Sequence, residues 1–113
     1  MLKLANNVKV FIPEADNDGN AVDLSAELNQ AVAVIGGSTE FKALGEWVDN
    51  NQLYADRIRV VQFNSPQLTA KIKQSLNALV TAIFTKGHQL GVSVEINGTL
   101  YILEDVSEVS ELF

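Results

Sequence analysis

The stretch TEFKALGEWVDNNQLYADRIRVVQF, residues 39–63, decides the fold. From Thr39 to Val48, Phe41, Ala43, Gly45 and Trp47 share one side, and Glu40, Lys42, Leu44 and Glu46 share the other. That period of two is the mark of a β-strand. Asp49-Asn50-Asn51-Gln52 is a run of turn formers. Extended character resumes from Leu53 to Phe63, with Ile58 and Val60 opposite Arg57, Arg59 and Val61. Two such strands so close in sequence predict a hairpin.

Working outward, a helix is predicted on each side of this hairpin. Upstream, Leu24, Leu28, Ala31, Val32 and Ile35 fall on one helical face. Asp23 is the expected N-cap, and Gly36-Gly37 supplies a left-handed C-terminal residue. Downstream, Ser65 is read as the cap and Pro66 as the first helical residue of a second helix. Its stripe of Leu68, Ile72, Leu76, Leu79, Val80, Ile83 and Phe84 runs to Gly87.

Further out, Asn7 to Ile12 alternates as a strand that Pro13 ends, and residues 14–20 form a polar turn. Near the other end, Val92–Ile96 and Thr99–Leu103 flank Asn97-Gly98, a strong two-residue hairpin signal. Residues 104–113 carry four acids and few apolar residues, and are read as a short terminal helix or a frayed end. The order β-α-β-β-α-β plus an extra C-terminal hairpin strand predicts a ferredoxin-like α+β sandwich: an antiparallel sheet with both helices on one face. Residues 1–113 are read as one domain.

Composition narrows the function. The 47% apolar and 19% charged content is that of a globular chain. Cysteine is absent, which removes disulfides, thiolate metal sites and cysteine nucleophiles. A net charge of -6 argues against double-stranded nucleic acid as a partner. Met1-Leu2-Lys3-Leu4 begins no signal peptide, and no apolar run approaches the roughly 20 residues of a membrane helix, so a cytoplasmic location and no membrane partner are expected.

The middle of the chain resembles a known group. Gly36-Gly37-Ser38-Thr39, then Ala43, Gly45, Trp47 and Asp49, is similar to the G-G-x-T…G-x-W-x-D hairpin of short bacterial and phage proteins of unassigned function. Gln89 and Val92-Ser93-Val94-Glu95-Ile96-Asn97-Gly98 resemble the end of those proteins. The resemblance implies the fold and carries no catalytic residue with it.

Few residues offer chemistry. Asp16, Asp18, Asn20 and Glu27 fit positions of a calcium-loop template, but Ala21 stands where its glycine belongs. An acidic turn is the better reading, and no metal is expected. His88, the one histidine, follows Gly87 at a helix end; with Glu95 and Tyr101 it forms a weak acid–base set for a small cofactor-free enzyme with a cavity between sheet and helices. Gly36-Gly37-Ser38-Thr39 follows a helix instead of opening one, so it is a turn and not a phosphate loop.

The sheet carries the main expectation. If Val8, Val10, Ile12, Phe41, Ile58, Val60, Val92 and Val94 face the helices, the open face shows Lys9, Phe11, Lys42, Leu44, Glu46, Arg57, Arg59, Val61, Phe63, Ser93 and Glu95. Phe11, Leu44, Val61 and Phe63 would then form an apolar interface. Lys42, Arg57 and Arg59, with Trp47 at a groove edge or in the core, would suit an anion such as a nucleotide. The leading expectation is thus a binding or assembly module, homo-oligomeric through its open sheet face, without a cofactor. A small enzyme is the first alternative. The second is an acidic mimic of nucleic acid that inhibits a host protein, using acids such as Glu104, Asp105, Glu108 and Glu111.

Overall fold

The computed structural model describes residues 1–113. The elements are β1 (Asn6–Pro13), α1 (Ser25–Ile35), β2 (Thr39–Asp49), β3 (Gln52–Ser65), α2 (Ala70–Thr85), β4 (Val92–Ile96) and β5 (Thr99–Leu103). A 3-10 turn (Val106–Glu108) and α3 (Val109–Leu112) close the chain. The strands form one antiparallel sheet in the order β2-β3-β1-β4-β5. Both long helices cover one face, as the ferredoxin-like reading requires, and β5 extends the sheet beyond β4. No helix is long and apolar enough to cross a membrane.

The core lies between helices and sheet. Val8, Val10 and Ile12 of β1 and Val92 and Val94 of β4 meet Leu76, Leu79, Val80 and Ile83 of α2, all buried. Both tight turns use left-handed residues: Asn97 and Gly98 (φ 49° and 86°) between β4 and β5, and Asn50 and Asn51 (φ 51° and 63°) between β2 and β3. Asparagine and glycine tolerate this region, and the type I′ twist matches that of the strands.

Helix boundaries depart from the local signals. α2 begins at Ala70, and Thr69 caps it by accepting the Ile72 amide at 3.2 Å. Ser65 is instead the last residue of β3, and its hydroxyl donates to the Gln67 carbonyl at 2.8 Å. Pairing of Ser65 with Asn6 holds the strand open for longer than the Ser-Pro signal suggests. Asp23 acts one residue before the cap position, Leu24, its carboxylate accepting the Ser25 amide and hydroxyl at 3.0 and 2.6 Å. At the other end of α2, Gly87 is obligatory. A Cβ there would stand 2.5 Å from the Ile83 carbonyl oxygen.

The C-terminal segment is anchored. Val109 is buried in the core, with Leu112 and Phe113 packed against it. Asp105 accepts the Ser107 amide while Glu108 accepts the Asp105 amide, a reciprocal capping box. Two of the four C-terminal acids are therefore engaged in holding this turn.

Candidate functional site

The register of the central strands assigns the faces. β1 pairs Val8 with Phe63, Val10 with Val61 and Ile12 with Arg59. Directly opposed residues share a face, so Val61 and Phe63 lie with the buried β1 residues under the helices. They are 1% and 2% exposed. The expectation that placed them on the open face is corrected, and the whole hairpin is inverted with them. Phe41 and Ile58 lie on the outer face, with Val60 on the same side but only 2% exposed; Lys42, Leu44, Glu46, Arg57 and Arg59 share the helix side. Period two groups residues correctly but is blind to which group meets the helices. Of the four basic residues expected on the open face, only Lys9 is there, paired with Glu95 at 3.1 Å.

The open face is nonetheless apolar. Phe11, Val60 and Phe41 form one cross-strand row, with Pro13, Ile58 and Ala43 in the next. Phe11 therefore keeps its expected place, and Phe41 and Ile58 take those expected for Val61 and Phe63.

β2 and β3 also outrun the sheet. Pairing with β1 ends at Ile58, so residues 45–56 pair only with each other, and the molecule measures 46 × 26 × 25 Å. This arm is apolar on both sides. Trp47 and Tyr54 stack on the outer side with centroids 5.5 Å apart. Val48 and Leu53 occupy the inner side, with Leu44 at its base, all 60–68% exposed. Trp47 is 47% exposed and belongs to the arm, not to the core.

The cations expected to bind an anion lie on the helix side, near their own carboxylates. Arg59 donates to Glu40 at 2.6 Å, and Lys42 stands 3.9 Å from Glu14. Arg57 is exposed and makes no ion pair. With Glu14, Lys42, Ala43 and Leu44 it lines a shallow depression of about 390 Å³. A more enclosed cleft of about 270 Å³ opens between α1 and the base of the hairpin. It exists because α1 packs mainly on α2 and touches β3 only lightly. Leu24, Leu28, Val32 and Val61 line it, with Asp23, Ser25, Asn29, Ser38, Glu40 and Arg59 supplying polar groups. Hydrogen bonds from Ser25 hold the Asp23 carboxyl below its usual range.

Of the residues of this cleft, the sequence singles out Arg59 for a ligand and Val61 for an interface. In the sequence Asp23 has the place of a helix cap, and Glu40 is one polar residue of an alternating strand. Nothing local in the sequence joins them, since they meet only when α1 lies over the hairpin base. The acid–base set is not brought together: Glu95 is on the open face, Tyr101 on the helix side of β5, and exposed His88 lies in the loop after α2. Of the calcium-template residues, Asp16, Asp18 and Asn20 form a hydrogen-bonded turn, with Asp16 accepting the Asp18 and Asn20 amides, each at 2.9 Å, whereas Glu27 lies in α1 and pairs with Lys86.

Comparisons with known proteins give a structural likeness. No protein-family model and no curated protein matches the sequence. A phage SAM lyase in complex with S-methyl-5'-thioadenosine superposes with a TM-score of 0.64 at 14% identity, over 93% of this chain and 95% of that one. A phage SAM lyase in the apo state gives 0.59 at 12% identity with the same coverage. At this identity, the likeness shows a shared fold across nearly the whole of both chains.

Proposed function

We propose that the chain is a small-molecule-binding protein that works as a homo-oligomer, with a nucleoside-type ligand held in the cleft between α1 and the hairpin base. The observation that carries the reading is the cleft itself, a mostly polar hollow in which Leu24, Leu28, Val32 and Val61 form an apolar floor beside a guanidinium and two carboxylates. Sites of this kind enclose the flat part of a ligand and fix its polar end with a few groups. The charge balance favours a neutral or cationic nucleoside over a phosphate, because Arg59 already faces Glu40 and Asp23 adds a second negative charge. The structural likeness to a phage SAM lyase bound to S-methyl-5'-thioadenosine supports the same ligand class.

Self-association is supported by the apolar area. Phe41, Leu44, Trp47, Val48, Leu53 and Tyr54 are each 39–68% exposed. At roughly 100 Å² apiece, from full side-chain areas of about 150–250 Å² for the aromatics, the outer side (Phe41, Trp47 and Tyr54) and the inner side (Leu44, Val48 and Leu53) each present about 300 Å². A stable interface uses about 800 Å² per partner, so neither side of the arm is sufficient by itself.

Calorimetric titration with S-methyl-5'-thioadenosine, S-adenosylmethionine and adenosine monophosphate tests the proposal. Binding of either of the first two, lost in Arg59→Ala and in Glu40→Gln, is expected. Binding unchanged in both variants would remove the cleft from consideration. A second reading, as an enzyme acting on S-adenosylmethionine, is favoured by the same structural likeness. It predicts release of S-methyl-5'-thioadenosine from S-adenosylmethionine incubated with the protein, followed by chromatography.

A further inference from the structure

We infer that two copies of the chain join along the β2 edges, in antiparallel fashion about a two-fold axis at Leu44, to make one continuous sheet. The inference rests on the homo-oligomeric reading above and names its joint. β2 is an edge strand of eleven residues with neither proline nor a break in its register. Such an edge is a template for another strand unless something blunts it. Asp49 and Gln52 close the turn, so the alternation of an antiparallel ladder directs the backbone groups of Phe41, Ala43, Gly45 and Trp47 toward β3. Those of Glu40, Lys42, Leu44, Glu46 and Val48 are directed at the open edge.

The strand is complementary to itself in one register. With Leu44 opposite its symmetry mate, Lys42 faces the second copy's Glu46 and Phe41 faces the second copy's Trp47, each pair occurring twice. Lys42 is 82% exposed in its side chain with only the 3.9 Å contact to Glu14, and Glu46 makes no ion pair. Neighbouring registers lack this match. A shift of two residues toward the N-terminus sets Glu40 against Glu46, and a shift the other way sets Phe41 against Asp49. Like charges directly opposed are destabilising, whereas opposite charges and aromatic pairs stabilise a sheet. The Phe11–Val60–Phe41 row of one copy then continues into Trp47 and Tyr54 of the other. On the helix side, the second copy's Val48 falls opposite Glu40, beside the cleft. A two-fold joint of identical strands is the isologous contact that closes a dimer.

The experiment is light scattering after size exclusion across a concentration series, on wild type, Lys42→Glu, Glu46→Lys and the double swap. Each single variant sets two like-charge pairs across the joint and is expected to weaken dimerisation by about tenfold or more. The double swap restores the pairs and is expected to return it to near the wild-type value. In this cysteine-free chain, Leu44→Cys is expected to give a covalent dimer on oxidation, since paired strands lie about 5.5 Å apart at such a position. An oligomer insensitive to both single variants, or a closed trimer, would overturn the joint while leaving self-association intact. A wild-type mass of one chain at all concentrations would overturn both.

Discussion

Replacing Phe63 with alanine, beside Phe41→Ala, tests the inversion of the hairpin. Phe63 is 2% exposed and packs in the main core, whereas Phe41 is 44% exposed on the outer face. Removing the Phe63 ring forfeits about 150 Å² of buried apolar surface, or about 4 kcal/mol at roughly 25 cal/mol per Å². That agrees with the 3–5 kcal/mol typical of large core truncations at about the same depth. Phe41 has only about half of its surface to lose, so about 1–2 kcal/mol is expected in the isolated chain. A domain of this length is stable by on the order of 10 kcal/mol, so the first loss is large and the second modest. The assay is urea unfolding followed by far-ultraviolet circular dichroism, at a protein concentration low enough to suppress association. With a slope of about 1.5 kcal/mol per molar, the midpoint falls by roughly 2.5 M for Phe63→Ala and by roughly 0.7–1.3 M for Phe41→Ala. Equal losses, or a larger loss at Phe41, would refute the face assignment and the register argument behind it.

Gly87→Ala should lower stability by about 1–3 kcal/mol, read as a thermal shift, because the new Cβ meets the Ile83 carbonyl at 2.5 Å and backbone must move. Val109→Ala should cost about 2 kcal/mol if the C-terminal segment is part of the core, and near zero if it frays. The carboxyls of Asp23 and Asp105 are held below their ordinary value of 3.8, chiefly by hydrogen bonds from the Ser25 and Ser107 side chains. Their contribution to stability is therefore full above pH 3.8 and is lost as pH falls through the lower folded-state values. Asp23→Asn with Asp105→Asn should flatten the acid limb of a stability–pH profile; an unchanged limb would show that other carboxyls govern it.

The sequence by itself determined the element order, because each element has a local cause. The stripe from Ile72 to Ile83 repeats at helical spacing, Asn97-Gly98 admits the left-handed turn, and residues 39–63 alternate on either side of Asn50-Asn51. These follow from backbone geometry and side-chain period within a few residues, so the ferredoxin-like fold with its additional strand was legible. Three things were not. The start of α2 moved from Ser65 to Thr69 because pairing with Asn6 competes with a local capping signal. The hairpin faces were inverted because a period of two has no sign, and only pairing with β1 places Val61 and Phe63 inward. The cleft of Asp23, Glu40 and Arg59 arises from three separate elements brought together by how α1 rests on α2. Such contacts depend on packing between residues distant in the chain, which local patterns do not encode, and both the candidate site and the exposed edge of β2 are features of that level.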